Sequence, residues 1–302
     1  MISISTCWNS ARHTDGANML RELMELGFDT MELGHGIRIS LMQGVERMAG
    51  RVRFSSLHNF CPLPVEMFSA SPDCLEFSSY KEAERERAVR LTCQTIDWAV
   101  RLDAPIVILH CGRVAMPSVT ERLVEMAENG GHLSPEYARL KLRAVQRRER
   151  AAAKHIVRLK DCLARIVEYA AERNVRLGLE SRQNYEEIPS EREFDDLLAA
   201  YPTQTVGYWH DFGHIQTKEN LGFVDHACWL AHVAPRLIGC HLHDVIWPDH
   251  DHRTPWVGGT VDYAALMPLV PKETPLVWEI SPKQSGPDIA KSLQLWKECF
   301  VE

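Results

Sequence analysis

Four apolar segments of this 302-residue chain each end on a side chain of a type that binds metal ions. RLGLE ends at Glu180, TVGYWHD at Asp211, LIGCH at His241 and PLVWE at Glu279. Carboxylates and imidazoles are ligands for divalent cations, and they serve as general acids and bases. Since successive strands deliver these groups at their carboxyl ends, we expect the ends to converge in space, as they do on the rim of a parallel β-barrel.

Three further predicted strands also end on a group of this kind, at Glu32, His58 and His110. A single histidine at a strand end is more typical of a structural hydrogen bond than of a ligand. Structural hydrogen bonds do not explain seven acids or imidazoles at equivalent strand ends, because seven unrelated structural roles would have to occur together on one rim. The set therefore predicts a shared site for metal binding and acid–base chemistry.

The elements that must position these groups alternate between strand and helix. Glycines at 27 and 50 follow the first two helical patterns, and Ser190 with Glu193 forms a capping box before FDDLLAAY. This alternation predicts parallel pairing with right-handed crossovers, and hence an α/β fold, the (β/α)8 TIM barrel. The strand candidates are residues 2–6, 28–33, 52–58, 105–111, 175–180, 205–211, 237–243 and 275–280.

One interval is too long for a simple crossover. Residues 113–174 contain SVTERLVEMAENGG and then a second helix that starts at Ser134-Pro135. We therefore expect a single domain, 1–302, with a helical insertion after strand 4 that spans about 113–160. The insertion leaves from the rim that carries the acids, so we expect it to cover the barrel mouth or to reach a neighbouring subunit in a symmetric homodimer. Its basic stretch, 139–150, is expected to be a solvated face or an interface.

Composition restricts the class of protein. A hydrophobic fraction of 45% supplies the core of one α/β barrel. The sequence has neither an apolar span of roughly 18 residues nor a signal-peptide pattern at its start, which predicts a cytoplasmic protein without a membrane partner. Nine cysteines without CxxC spacing are expected to be buried thiols. A net charge of −7 argues against nucleic acid as a partner and does not restrict small substrates.

The strand ends lie within longer motifs. These are ESR at 180–182 followed by YEEIPS, HDFGH at 210–214, HLHD at 241–244, DHRTPWVGGTVDY at 251–263 and WEI at 278–280. Over nearly its whole length the chain resembles the xylose isomerase-like TIM barrel superfamily. Its members include sugar phosphate isomerases and epimerases, ketose 3-epimerases, inosose dehydratases and apurinic endonucleases of the endonuclease-four class. The motifs are specific for the superfamily and unspecific for the substrate.

The resemblance implies one divalent metal ion as cofactor. Three carboxylates and one imidazole favour Mn²⁺, with Zn²⁺, Mg²⁺ and Co²⁺ as alternatives, because geometry and availability decide more than affinity. Glu180 and Glu279 are also implied as the catalytic acid–base pair. The implied metal ligands are Glu180, Asp211, His241 and Glu279.

Other positions are expected to contact the substrate, a sugar or sugar derivative. His214 and Arg253 match positions that bind substrate oxygens in the epimerases. Arg182 is expected either to contact substrate or to pair with the glutamate at 186 or 187. Trp256 is expected to stack on a sugar ring, with ordinary loop packing as the alternative. The full expected set is His58, His110, Arg182, His214, Arg253 and Trp256.

His58 and His110 have a second interpretation. In the apurinic endonucleases, matching histidines hold an additional zinc together with the glutamate at the position of Glu180. A second metal site at His58 and His110 is therefore an alternative to substrate binding. A trinuclear site is not expected, because Arg253 stands where the endonuclease pattern requires a further ligand, and arginine does not bind cations.

The resemblance implies a metal-dependent sugar or keto-sugar isomerase or epimerase that acts through a metal-stabilised enediolate. Three alternatives stay open. A lyase or dehydratase acting on a keto-sugar or inosose would share the first step. An apurinic endonuclease-like phosphodiesterase would need a basic rim. A non-catalytic metal-binding barrel would not need both glutamates.

Overall fold

The computed structural model of the chain describes residues 2–67, 70–256 and 258–300. The outermost residues of the predicted 1–302 domain, and Val257 within the 251–263 motif, lie outside this description. Eight of the described strands are parallel and close into a barrel in the order β1-β10-β7-β6-β5-β4-β3-β2. The described strands are β1 (Ile2–Ser5), β2 (Thr30–Leu33), β3 (Arg53–His58), β4 (Ile106–Leu109), β5 (Arg176–Glu180), β6 (Val206–Asp211), β7 (Leu237–Leu242), β8 (Asp244–Ile246), β9 (His250–Arg253) and β10 (Leu276–Trp278).

Helices connect the strands on the outside of the barrel, so the predicted (β/α)8 fold is confirmed. The α-helices are α1 (Gly16–Glu25), α2 (Ile39–Met48), α3 (Glu82–Arg101), α4 (Thr120–Glu128), α5 (Pro135–Ala171), α6 (Glu191–Ala199), α7 (Phe212–Asn220), α8 (His226–Val233), α9 (Tyr263–Leu266) and α10 (Gly286–Phe300).

Local signals set several boundaries as predicted. Gly27 and Gly50 have φ of 97° and 83°, a conformation that glycine adopts without strain. The capping box of Ser190 and Glu193 is present at the start of α6. The antiparallel hairpin β8–β9, by contrast, was not predicted. Its strands are short, DVI in β8 and HDHR in β9, and neither is long enough to show an alternating apolar pattern, so periodicity gave no signal for the hairpin.

A small apolar layer fills the inside of the barrel beneath the rim. It consists of Ile106, Ile108, Trp209, Ile238 and Val277. Gly239 leaves room for the indole of Trp209, because a Cβ at that glycine would lie 1.9 Å from Cζ3 of the tryptophan. The barrel is therefore a packed core that supports the side chains above it. The larger core lies between the strands and the helices, and there Trp278 packs against Trp296 of α10 with ring centroids 6.1 Å apart.

The predicted insertion is built from α4 and the first part of α5. Ser134 caps α5 by accepting a hydrogen bond from the amide of Tyr137, as the sequence predicts. The helix then continues for 37 residues without a break, so the structure has no boundary near residue 160. At 1.5 Å per residue α5 is about 55 Å long, and it serves both as the insertion and as the crossover to β5.

The cysteines differ in part from their expected burial. Cys111, Cys162 and Cys240 are buried, whereas Cys228 and Cys299 are exposed. All of them are free thiols. Among the described helices, none combines the length and apolar character needed to cross a bilayer.

Candidate metal centre and substrate cavity

The four predicted ligands meet at the carboxyl-terminal rim of the barrel. Glu180, Asp211 and His241 lie in β5, β6 and β7, and Glu279 directly follows β10. One ligand atom from each lies within 4.8 Å of those of the other three. Nδ1 of His241 is 3.2 Å from Oε1 of Glu180 and 3.2 Å from Oε2 of Glu279. The strand register explains why these side chains meet. His241 lies opposite Asp211 in β6 and opposite Val277 in β10, two residues before Glu279.

The backbone around Asp211 fixes its carboxylate. Oδ1 of Asp211 accepts a hydrogen bond from the amide of His214 at 2.7 Å, which caps α7. The amide of Asp211 donates to Oγ of Ser181 at 2.8 Å. The carboxylate is thus held at a strand end that is also a helix start, so it would lose little side-chain freedom on binding an ion.

The donor set fits a divalent cation. Glu180 and Asp211 are fully buried and Glu279 is 3% exposed, so three carboxylates share a small volume. Buried charges are costly unless they are paired or coordinate a metal. Three carboxylates and one imidazole are suitable ligands for first-row divalent ions.

The electrostatics of His241 support the same conclusion. Burial acts to lower the pKa of His241, but the carboxylates of Glu279, Glu32 and Glu180 outweigh burial and raise it well above its ordinary value. The proton compensates part of the surrounding negative charge. A metal ion would replace that proton, since an imidazole nitrogen binds metal only in its neutral form.

Both glutamates are ionised in this setting. Burial acts to raise the pKa of Glu180, yet His110 and His241 hold it well below its ordinary value. Burial likewise opposes ionisation of Glu279, and His241 and His252 lower its pKa to about 2. Each carboxylate can therefore act as a ligand or as a base near neutral pH.

His58 and His110 converge on one oxygen of Glu180. Nε2 of His58 is 3.0 Å and Nε2 of His110 is 3.1 Å from Oε2 of Glu180. His110 is oriented from its other side by Asp73, whose two carboxylate oxygens are each 3.2 Å from Nδ1. Neither histidine lines the described cavity, and substrate binding and the second-metal alternative both stay predictions.

Arg182 lies in a buried ion-pair network. Its Nη2 donates to Oε1 of Glu187 at 2.6 Å and to Oδ2 of Asp73 at 2.8 Å. Of the two expectations for this residue, the salt bridge with a nearby glutamate is the one observed. Arg182 does not line the described cavity, so its contact with substrate is not supported by its position.

The other predicted substrate residues differ in their placement. His214 is 7% exposed, and its Nδ1 donates to the carbonyl oxygen of Ser181 and lies 3.5 Å from Oε1 of Glu180. Arg253 lines the cavity beside the metal ligands. Trp256 lies elsewhere, because its ring packs against Tyr263 at 6.0 Å and against the rings of α10. The position of Trp256 agrees with the alternative expectation for this residue, which is ordinary loop packing.

Three histidines near the rim were missed. Nε2 of His243 lies 3.0 Å from Oδ1 of Asp211, and its ring stacks on His252 at 4.2 Å. Nδ1 of His252 donates to the carbonyl oxygen of Glu279 at 2.9 Å. His35 lines the cavity. A signal existed for His243, since residues two apart on a strand share a face, and His243 follows His241 at that spacing.

A cavity of about 600 Å³ opens beside the four ligands, and Glu279 forms part of its wall. This volume lies in the range of small-molecule sites. Loops that follow β1, β2, β3 and β10, together with the β8–β9 hairpin, supply its lining. The cavity thus places a small ligand at the rim, next to ionised carboxylates.

Comparison with known proteins gives a family match. The sequence model described as xylose isomerase-like TIM barrel matches residues 20–299. Among curated proteins no sequence matches. 

Several solved structures share the fold. A D-tagatose 3-epimerase-like protein is 17% identical, with a TM-score of 0.69, over 98% of this chain and 96% of that chain. The 3-keto-D-glucoside 4-epimerase of E. coli is 16% identical, with a TM-score of 0.70, over 99% of both chains. The D-allulose 3-epimerase of Methylomonas sp. is 16% identical, with a TM-score of 0.65, over 98% of this chain and 96% of that chain. At these identities the likeness establishes the fold.

Proposed function

Because the chain belongs to the xylose isomerase-like TIM barrel family, we propose that it is a metal-dependent enzyme that isomerises or epimerises a sugar or keto-sugar. One observation carries the proposal: Glu180, Asp211, His241 and Glu279 bring their ligand atoms together beside a cavity of small-molecule size. Solved structures with the same fold bear the names of ketose and keto-glycoside epimerases, which supports this class of reaction.

The same four residues would hold the ion, with Mn²⁺ as the first candidate and Zn²⁺, Mg²⁺ and Co²⁺ as alternatives. When bound, a divalent cation supplies Lewis acidity that polarises a carbonyl group and makes the neighbouring C–H bond more acidic. His243 keeps Asp211 oriented, because its Nε2 lies 3.0 Å from Oδ1 and 3.1 Å from Oδ2 of the carboxylate. The amide of His214 also donates to Oδ1.

Glu180 and Glu279 supply the proton transfers. One ionised carboxylate removes the proton from the carbon beside the carbonyl group, and the substrate becomes an enediolate. Return of a proton to the same carbon from the opposite face gives an epimer, whereas return to the neighbouring carbon gives an isomer. We assign His214 and Arg253 to hydrogen bonds with substrate oxygens, since Nδ1 of His214 lies 3.5 Å from Oε1 of Glu180 and Arg253 lines the cavity.

Deuterium exchange tests the proposal. The metal-loaded protein is incubated with a panel of ketoses in D₂O, and NMR detects label at the carbon beside the carbonyl group. Glu180→Gln and Glu279→Gln should each lower the exchange rate by about 10²-fold or more, which is the contribution of a general acid or base. Metal content is measured in both variants, because loss of the ion would produce the same effect.

Glu273→Gln is the matched control, since Glu273 is exposed and precedes β10 at the other end of the barrel. It should exchange at the wild-type rate. Cleavage of abasic-site DNA by the same metal-loaded protein, with no C–H exchange across the ketose panel, would contradict the proposal and favour a phosphodiesterase.

A further inference from the structure

Three cationic side chains line the cavity from three different loops. Arg38 lies between β2 and α2, Arg253 belongs to β9, and Lys283 follows β10. Within the described part of the chain none of the three forms an ion pair. Some arginines outside the cavity do form ion pairs: Arg148 pairs with Glu193 at 2.7 Å and Arg173 with Asp97 at 3.1 Å. The cavity therefore presents positive charge that the fold itself does not use.

The acidic groups of the cavity wall form no ion pair with these cations among the described residues. Asp249 and Asp251 lie nearest to histidines, at 3.8 Å from Nδ1 of His250 and 3.7 Å from Nε2 of His252. The third acid of the wall, Glu279, belongs to the proposed metal ligands. A bound divalent ion would make the cavity more positive still.

His35, which has a buried ring nitrogen, also lines the cavity. Nδ1 of His35 is inaccessible to solvent and makes no hydrogen bond to any described residue. A ligand in the cavity cannot contact this nitrogen where it lies, so His35 contributes only the rest of its side chain to the cavity wall. Its neighbours include apolar Leu63 and Met67, which can contact the carbon skeleton of a ligand.

We propose that the cavity selects an anionic sugar, whose phosphate or carboxylate group contacts Arg38, Lys283 and Arg253 while its carbonyl end faces the four proposed metal ligands. The inference rests on the proposed function for the orientation of the substrate and on the unpaired cations for its charge. TIM barrels frequently bind phosphate through the loops that follow their last two strands, and Arg253 and Lys283 lie in those loops. Arginine and lysine bind phosphate and carboxylate groups alike, so this chemistry does not separate the two.

Calorimetry on the metal-loaded, full-length protein tests the charge preference. D-fructose, D-fructose 6-phosphate and D-fructuronate are titrated as neutral, phosphorylated and carboxylated ligands, and inorganic phosphate is titrated as the anion alone. At least one anionic ligand should bind about tenfold or more tightly than D-fructose, and added salt should weaken this preference. The tighter of the two sugar anions identifies the group that the cations recognise.

Lys283→Gln and Arg38→Gln should each weaken binding of that anion by about 10- to 100-fold, the range for a hydrogen bond to a charged group, and leave D-fructose binding unchanged. Both side chains are exposed, so their removal does not affect the core. Lys272→Gln is the matched control, because this exposed lysine precedes β10 at the opposite end of the barrel. It should bind every ligand as the wild type does.

The outcomes separate the two proposals. Proton exchange with neutral ketoses, without binding of any anion that depends on Lys283 or Arg38, overturns the anionic substrate and leaves the isomerase or epimerase intact. Anion binding that depends on these cations, without C–H exchange in any sugar, supports the anion site and overturns the reaction. If binding of the three anionic probes depends on neither Lys283 nor Arg38, the site is rejected.

Discussion

Single side chains at the barrel rim carry charges that burial alone would make costly. Three carboxylates and the imidazole of His241 share the small volume at the rim. The negative charge of the neighbouring carboxylates raises the pKa of His241. A bound divalent ion would compensate the same negative charge and would displace the proton from His241. The identity of the ligands can therefore be tested by removing them singly.

We expect Asp211→Ala and His241→Ala to lose the bound ion, because each removes one of four ligands from a closed set. Elemental analysis of the purified variants gives the number of ions per chain. Asp195→Ala is the control, since Asp195 is exposed and pairs with His232 outside the site. Full metal content in both ligand variants would contradict the assignment.

His243 is expected to act on the ion through Asp211. Its Nε2 donates to Asp211, while its Nδ1 accepts the amide of His252 at 2.9 Å, so both ring nitrogens are engaged. Partners of this kind typically contribute 10- to 100-fold to metal affinity. His243→Ala should therefore raise the Kd for Mn²⁺ by about that factor, measured by competition with a chelator.

Exposed His232→Ala should leave the affinity for Mn²⁺ at the wild-type value. An unchanged Kd in a folded His243→Ala protein would show that the backbone alone orients Asp211.

The sequence contained enough information to bring the four proposed ligands to one rim but not to identify all the residues that contact them. Glu180 and Asp211 could be predicted because the end of a strand fixes the rim on which a side chain lies. Arg182 could not be assigned to one role, because its partner Asp73 comes from a loop more than a hundred residues away along the chain. His35 is similar, since it follows β2 in a loop whose path depends on tertiary contacts.

At the scale of elements, the side chain of Glu186 attaches the start of α4 to the segment after β5. The buried carboxylate of Glu186, from the segment after β5, accepts hydrogen bonds from the amides of Val119 and Thr120 and from the hydroxyl of Thr120. These amides begin α4, whose own N-cap residue provides no side-chain acceptor. Glu186 therefore caps a helix that lies more than sixty residues earlier in the chain.

The insertion also reaches two other parts of the rim. The hydroxyl of Tyr137 in α5 donates to the carbonyl oxygen of Leu221 after α7 at 3.1 Å, and Glu128 of α4 lies 3.5 Å from His250 of the hairpin. These contacts place the insertion beside the loops that form the cavity. Local sequence signals identified where α5 starts, but its length and the hairpin depend on tertiary packing that periodicity does not encode.

Glu186→Ala should loosen α4 without unfolding the barrel. The change leaves two buried amides without a partner, which costs about 1–3 kcal/mol for each unsatisfied group. Hydrogen–deuterium exchange should accelerate across residues 115–133 while the barrel strands keep their protection. Glu168→Ala, an exposed glutamate of α5, should show the wild-type pattern. Unchanged protection of α4 in Glu186→Ala would mean that its apolar face alone holds it.

At the scale of the whole molecule, a buried hydrogen-bond chain joins the barrel to its helical layer. Nε1 of Trp229 donates to the hydroxyl of Tyr208, which faces Nδ1 of His210 at 3.0 Å. Nε2 of His210 is 2.9 Å from Nε2 of His226, and Nδ1 of His226 is 3.1 Å from Oε1 of Gln216. Followed from the tryptophan, each group donates to the next, so each imidazole carries one proton.

Protonation of His226 would break this chain, because two N–H groups would then face each other between the imidazoles. Burial is the main cause that lowers the pKa of His226, to about 3. In the unfolded chain a histidine titrates near pH 6.5. Between these values the unfolded chain binds more protons than the folded one, so stability is complete above about pH 6.5 and decreases as the pH falls toward 3.

His226→Gln should reduce this acid sensitivity, because glutamine cannot take up the proton. Protonation of one such histidine lowers the unfolding free energy of the wild type by up to about 2 kcal/mol between pH 7 and pH 5. The variant lacks this contribution, so its unfolding free energy should fall by about 2 kcal/mol less over the same range. Urea unfolding of the metal-free protein at both pH values measures the difference, and chelation removes the contribution of metal release. His232→Gln, an exposed histidine of the same helix, should follow the wild type. If the His226→Gln protein lost as much stability as the wild type between the two pH values, protonation at His226 would not be the cause of the loss.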